Sequence, residues 1–568
     1  MMGEISKKKY PLWSIWYEDE GYDINGERIM GRQAAGWSFL KGIIKDKPDR
    51  ISAYIKNDEQ RSFFVEKVKS VISPDHQMEI DFINFSEPQK SQDYGGIFIP
   101  GPGISDFCSK RSFHGHDKYS VIGITHTTAS HTVMNGLSSL AMSDVMPWDA
   151  IICTSECVLD TVNKVIEDRF DKLSSKFSIK NPVYPQLPII PLGLDKDEFE
   201  YTEDFKIQSR NSLGIGIDDI VIVYVGRLSF HAKAHHLPMY LALENCSKEL
   251  QDNQKIHIIQ TGWFANDFVK DAFVNEGKKI CPSVNFHFLD GKDQNNKHIS
   301  LSSGDIFISL SDNIQETFGL TPIEGMAAGL AVLVSDWNGY KSTVRQNIDG
   351  YRVNTILLPN GYGEDLAYDH MMDKINYDHY VGMSVQRVAI DISDCIEKLS
   401  ILIKDKEKRI EFGKSGKQRI NNSFDWSIIL KKYRELADDL DSIRLIESKN
   451  YKDFCLPSLP SNRMDPFNVF SSYPTATLKN NHKLIKTAGI NQYSISELFT
   501  LNSINYSKEY LPHLDDFVSI YNFFEDGKFL TIKSLINKTS IEESDIFKII
   551  IWLIKFGYIA FNGEMDEK

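Results

Sequence analysis

Five short, nearly uninterrupted apolar runs recur between residues 220 and 335: IVIVYV (220–225), IHIIQTG (256–262), VNFHFLD (284–290), DIFISL (305–310) and AVLVS (331–335). Helix-compatible stretches separate them. A strand that is apolar on both faces belongs inside a parallel sheet with helices covering both sides. The first 195 residues show the same rhythm in VIGIT (121–125), AIICTS (150–155) and PIIPLG (188–193). Two successive α/β series predict two doubly wound domains with a cleft between them.

Size and composition agree with this. A chain of 568 residues exceeds one core, so two to four domains are expected. Its 42% apolar and 25% charged content is that of an ordinary globular protein. A net charge of -14 argues against a protein built to coat nucleic acid. The seven cysteines are scattered, and CTSEC (153–157) lacks the second pair that a zinc site needs, so free thiols in a reducing compartment are expected. The N-terminal MMGEISKKKY has no apolar signal core. The apolar run IIIWLIKFGYIAF (549–561) is too short to span a bilayer and is broken by Lys555. These features predict a cytoplasmic protein, peripheral at most to the inner face of a membrane.

The stretch NIQETFGLTPIEGMAAG (313–329) falls between two of the strand candidates. It predicts a loop at the carboxyl end of a strand, then a short helix with Thr321 at the N-cap, Pro322 at the first position, Glu324 at the third and Gly329 beyond the end. Open α/β sheets bind ligands at that place. Amides and dipole at a helix start favour an anion such as a diphosphate. Alone, Glu324 reads as a capping glutamate and Glu316 as a solvated loop carboxylate. Together, on either side of a glycine, they suit a ligand that offers hydroxyls beside its phosphates.

The spacing Glu316-x7-Glu324 within QETFGLTPIEGMAAGLAVLVSD resembles the signature of retaining GT-B glycosyltransferases of family 4, the group 1 glycosyl transferases. Four more segments resemble family segments in the same order: GRQAAGWSFLKGI (31–43), IPLGLDKDEF (190–199), VYVGRLSFHAKAH (223–235) and FDW (424–426). The resemblance covers about residues 10 to 447. It implies a GT-B fold: a Rossmann-like acceptor-side domain over 1–200, a Rossmann-like nucleotide-sugar donor domain over 201–425 and a cross-over helix over 426–447. It also implies roles. Glu316 would bind donor-sugar hydroxyls and Glu324 the ribose. Arg227, after Gly226, and Lys233 would neutralise the diphosphate. The amides around Phe318, Gly319, Leu320 and Thr321 would face the phosphates. The gap from Arg227 to Lys233 is one residue longer than in many members, so His231 stands as a neighbour able to share the lysine's role. His126 after VIGIT would present imidazole or backbone to the sugar, or else be a capped structural histidine; His131 ranks below it. Gly31 and Gly36 would let the N-terminal loop approach the diphosphate, or else mark a tight helix entry. Trp148 and Asp149 read as setting strand entry, and Asp336 as either touching the cleft or starting a turn. With two cations and a helix end at the leaving group, the resemblance implies no metal and no cofactor beyond the nucleotide-diphosphate sugar, UDP- or GDP-linked. The acceptor would be a glycan, a lipid-linked intermediate or a protein, in a setting such as bacterial surface polysaccharide synthesis. A dinucleotide-dependent oxidoreductase is disfavoured because no G-x-G-x-x-G follows the first strand candidates.

After Glu447 the composition changes. Residues 448–481, rich in proline, serine and asparagine, predict a linker or extended arm. From 482 a small unit follows. FLTIKSLINKTSIEESDIFKIIIWLIKFGYIAF (529–561) reads as helix, turn, helix and strand, and resembles a winged-helix unit. Its second helix opens on Glu542, Glu543 and Asp545 rather than on basic residues, which favours protein interaction or self-association over nucleic acid. The rival to an enzyme is a catalytically silent GT-B scaffold that recruits partners through this unit.

Overall fold

The computed structural model describes residues 12–24, 31–178, 182–248, 250, 254–453, 455–460 and 463–562. The chain divides into two compact units, Met1–Ser458 and Leu459–Lys568.

The larger unit holds two six-stranded sheets. The first is built from β1 (Ser14–Trp16), β2 (Arg50–Ile55), β3 (Glu79–Asn84), β4 (Gly96–Ile99), β5 (Ser120–Ile124) and β6 (Ala150–Ile152), ordered 3-2-1-4-5-6. The second uses β7 (Ile220–Val225), β8 (Ile256–Gly262), β9 (Asn285–Asp290), β10 (Ile306–Ser309), β11 (Ala331–Ser335) and β12 (Gly350–Val353), ordered 12-11-10-7-8-9. Every pairing in both sheets is parallel. Counted from its own first strand, the second sheet repeats the order of the first. Each sheet therefore has one switch point, β1/β4 and β7/β10, where the connections diverge and a crevice opens.

All six residues of β7 are buried, as are all five of β11, which is why they read as unbroken apolar runs. The PIIPLG run does not become a strand. It makes one isolated bridge, Ile189 to Cys153, because Pro188 and Pro191 carry no N–H to sustain a ladder.

The helix Trp426–Glu447 begins where Asp425 accepts the Ser427 amide (2.9 Å). It leaves the second lobe and packs on the first. Trp426 lies against Gly42 and Gly193, where an added Cβ would come within 2.5 and 2.6 Å of its ring. Its Nε1 donates to Ser38 Oγ (2.8 Å). Further along, Arg434 pairs with Asp46, and Arg444 donates to the Gly95 carbonyl (3.0 Å) and Ser120 Oγ (2.8 Å). One apolar core consequently runs from Trp13, Phe39 and Phe98 through Trp426 and Tyr433 to Phe424 and Phe318. Beyond the helix the chain stays on the first lobe: Tyr451 meets Trp148 edge-on and the Ser458 amide donates to the Ser112 carbonyl (2.9 Å).

The smaller unit has a three-stranded antiparallel sheet of β15 (Lys483–Lys486), β16 (Phe529–Thr531) and β17 (Ile559–Asn562), with β15 central. Its core gathers Leu484, Phe517, Leu535, Ile546, Ile549, Ile550 and Leu553. Gly557, at φ +76, ends the helix Glu543–Lys555. No helix among the described residues is long and apolar enough to cross a membrane.

Candidate functional site

The second sheet's switch point opens into a cleft of about 650 Å³ between the lobes. Two loops build its floor. One follows β7 and carries Gly226, Arg227 and Lys233; the other follows β10 and carries Glu316 through Thr321. The first lobe supplies Gly31, Arg32, His126 and Thr127.

Lys233 and Glu316 form the central pair. Lys233 Nζ donates to Glu316 Oε2 at 2.5 Å. Glu316 Oε1 accepts the Thr317 amide (3.2 Å) and the Phe318 amide (3.4 Å), and Tyr340 Oη donates to Oε2 at 3.4 Å. Burial alone would raise the glutamate's pKa, but the ammonium and these amides outweigh it and hold the group below the usual carboxylate range. Burial likewise acts to lower the Lys233 pKa, and Glu316 reverses the sign and raises it. Both therefore stay charged. An ionised carboxylate has about four lone-pair sites, so Glu316 is fully engaged by protein donors. Sugar hydroxyls would have to displace the two contacts at 3.4 Å.

His231 does not share the role of Lys233. Its ring turns to Phe230 and Ser229, and it does not line the cleft. Arg227 reaches the cleft through a single protein hydrogen-bond acceptor among the described residues, the Ala232 carbonyl (2.8 Å), with Trp263 beneath its guanidinium at 6.0 Å. Glu324 pairs with Lys297 (3.1 Å), a partner 27 residues earlier that sequence reasoning missed. Glu20, also in the cleft wall, pairs with Arg32.

The helix after Glu316 runs over Leu320–Ala327, starting two residues earlier than its capping pattern predicts. Its N-cap is Gly319, with φ +101 and no side-chain cap, rather than Thr321. Only glycine fits there: the left-handed backbone disfavours other residues, and a Cβ would lie 2.5 Å from the Tyr340 ring. Pro322 then falls third, which is tolerated because the first four amides of a helix have no intrahelical acceptor anyway. Glu324 is consequently freed from capping. Leu320 and Thr321 line the cleft as the first two residues of the helix, where backbone amides have no intrahelical acceptor, and the buried Thr321 hydroxyl has no partner among the described residues. Phe318 is different: its ring is buried in the core and its amide is spent on Glu316.

Gly31 opens the helix Gly31–Lys45 at the cleft wall, and among the described residues nothing lies within 4 Å of where its Cβ would be. Gly36 does not line the cleft. It packs on the Gly21 carbonyl, 2.4 Å from a would-be Cβ, and lets the helix close against the loop after β1. Asp336 pairs with Arg352 and lies outside the cleft, as does His131. Asp149 is a buried structural acid, held by Arg111 and the Val121 and Met146 amides.

The lobes touch beside Glu316. Thr317 Oγ1 donates to the His126 carbonyl (3.1 Å), and Ser155 Oγ donates to the Thr317 carbonyl (2.9 Å). Burial, and secondarily the Arg32 guanidinium, lower the His126 pKa from 6.5 to about 4. The imidazole is thus neutral near pH 7. The unfolded chain would take up this proton near pH 6.5 and the folded chain only near 4, so stability is lost as pH falls through that window. Melting curves across it should show a shallower acid loss for His126→Gln than for the wild type; parallel curves would contradict the lowered pKa of this imidazole.

Two doubly wound lobes around such a cleft define the GT-B class. Residues 205–356, in the second lobe, match the family model of the glycosyl transferases group 1. Among curated proteins, an uncharacterized glycosyltransferase of Methanocaldococcus jannaschii is 24% identical over 196 residues, covering 34% of this chain and 46% of that protein. The D-inositol 3-phosphate glycosyltransferase of Geodermatophilus obscurus is 24% identical over 249 residues, covering 42% and 52%. The chain thus spans about half the length of the curated relatives it matches. Similar solved structures include Anabaena HepE in complex with UDP (13% identity, TM-score 0.47, 76% of this chain and 99% of that one). Sucrose-phosphate synthase from Thermosynechococcus elongatus is another (14%, 0.46, 76% and 99%).

Proposed function

We infer that the chain is a retaining glycosyltransferase that uses a nucleotide-diphosphate sugar, UDP- or GDP-linked, without a divalent metal. The observation that carries this reading is the convergence of Arg227, Lys233 and the amides of Leu320 and Thr321 on one cleft at the second sheet's switch point. As the bond from the anomeric carbon to the phosphate oxygen breaks, its electron pair moves to the departing diphosphate. Preorganised cations and amides stabilise that growing charge. An acceptor hydroxyl attacks from the same face and passes its proton to a leaving phosphate oxygen, which retains the anomeric configuration. Among the described residues the carboxylates that line the cleft, Glu20, Glu316 and Glu324, are each engaged by a cation, which argues against a covalent glycosyl intermediate on any of them.

The acceptor is read as a glycan, a lipid-linked intermediate or a protein, and the setting as cytoplasmic glycoconjugate synthesis. The smaller unit is read as winged-helix-like, a site for protein partners or self-association.

The test is release of UDP or GDP from a panel of nucleotide sugars offered with candidate acceptors. Turnover is expected to survive excess EDTA unchanged; loss with EDTA and recovery with magnesium would overturn the metal-free mechanism. Silence across the whole panel would favour the scaffold reading.

A further inference from the structure

The chain leaves the second sheet after β12 and makes an excursion before rejoining it at the helix Ile392–Lys404. A two-stranded antiparallel ribbon of β13 (Thr355–Leu357) and β14 (Val388–Ile390) frames the helices Glu364–Met371 and Tyr377–Val385. One residue of this excursion, Tyr377, reaches the cleft wall. It is the first residue of its helix, which Asn376 caps by accepting the His379 amide at 2.9 Å.

From Tyr377 a continuous chain of hydrogen bonds leads to Arg227, a cleft cation with no ion-pair partner among the described residues. Tyr377 Oη donates to Gln315 Oε1 (3.1 Å), and Gln315 Nε2 donates to the Ala232 carbonyl (3.2 Å). That carbonyl also accepts from Arg227 Nη2 (2.8 Å), and it is the guanidinium's only acceptor among the described residues. The Gln315 amide is itself fixed by Asn313 Oδ1 (2.9 Å). Burial pushes the Tyr377 phenol up to about 12, so it remains a donor around neutral pH. The excursion is braced on the first lobe too. His370 stacks between His131 (4.0 Å) and Tyr380 (4.6 Å).

We propose that Tyr377 is a positioning residue for transfer: through Gln315 it fixes the Ala232 carbonyl, and with it the aim of the Arg227 guanidinium at the donor diphosphate. This rests on the glycosyltransferase reading of the cleft. Tyr377 makes no bond in the reaction; it sets where the cation stands when charge builds on the leaving group.

The test uses Tyr377→Phe in the full chain, which keeps the ring and removes only the hydroxyl. UDP and GDP are titrated by calorimetry, and kcat and KM are measured with the best donor. Loss of one neutral hydrogen bond predicts about fivefold weaker nucleoside diphosphate binding and a kcat fall of at least that size, with acceptor KM unchanged. The melting midpoint should fall only slightly, by no more than the loss of one hydrogen bond costs. In an Arg227→Ala background, Tyr377→Phe should cost nothing more, because its effect runs through the arginine. Binding and kcat equal to wild type, or a loss that adds in full to that of Arg227→Ala, would overturn the proposal. A wild type that binds neither UDP nor GDP would remove the reading of the cleft, and this inference with it; a wild type that binds, beside an equally tight Tyr377→Phe, would remove the inference alone.

Discussion

Glu316→Gln is expected to lower kcat about 10²- to 10³-fold, the scale seen when one preorganised electrostatic contact at a developing charge is lost. The substitution is isosteric, but it deletes the charge that holds Lys233. The lysine is then a part-buried ammonium at the cleft wall with no counter-ion, a loss that reaches about 3–5 kcal/mol only where the pair is fully buried. Its ammonium would retreat or shed its proton, and the leaving diphosphate would lose a cation. The fold should therefore weaken while the active conformation weakens more. Single-turnover kinetics separates the two effects: the chemical step should slow even at temperatures where far-UV circular dichroism shows a folded chain. Turnover within twofold of wild type would show that the Lys233–Glu316 pair is only structural. Because Glu316 already accepts from Thr317, Phe318, Tyr340 and Lys233, the loss is expected mainly in kcat and less in donor KM.

Trp426→Ala is expected to cost about 3–5 kcal/mol, the range for deleting a large buried aromatic. The ring is 5% exposed and sits where Gly42, Gly193 and Phe39 of the first lobe meet the helix arriving from the second. The two glycines, lacking side chains, cannot refill the space. Trp426→Phe should retain most of the contact and lose chiefly the bond to Ser38 Oγ, about 1 kcal/mol. Urea unfolding followed by far-UV circular dichroism should show the larger shift for alanine. Equal midpoints for alanine and wild type would mean that the lobes are held together elsewhere. Since the cleft lies between the lobes, Trp426→Ala should also raise donor KM.

The strands were legible because burial on both faces leaves nothing but apolar residues to write, as in IVIVYV and AVLVS. The helix Trp426–Glu447 was legible from its periodicity and the Asp425 cap. PIIPLG was misleading because apolar character outweighed the meaning of its two prolines. The helix start at Gly319 was misread for a related reason: Thr-Pro-x-Glu is a good capping pattern, and only the left-handed glycine ahead of it shows that the turn has already begun. Individual site positions were legible where a motif carries them. Their partners were not: Lys233 and Glu316 lie 83 residues apart, and Gln315 and Tyr377 lie 62 apart. Such contacts are made by topology, and no local pattern records them. Gly36 shows the converse, a motif position that the fold uses for packing rather than for ligand approach.

The most direct test is a crystal structure of the full chain with UDP or GDP bound. The account predicts the diphosphate against the amides of Leu320 and Thr321, between Arg227 and Lys233, with the ribose at Glu324. A nucleotide seated away from the carboxyl ends of β7 and β10 would contradict it.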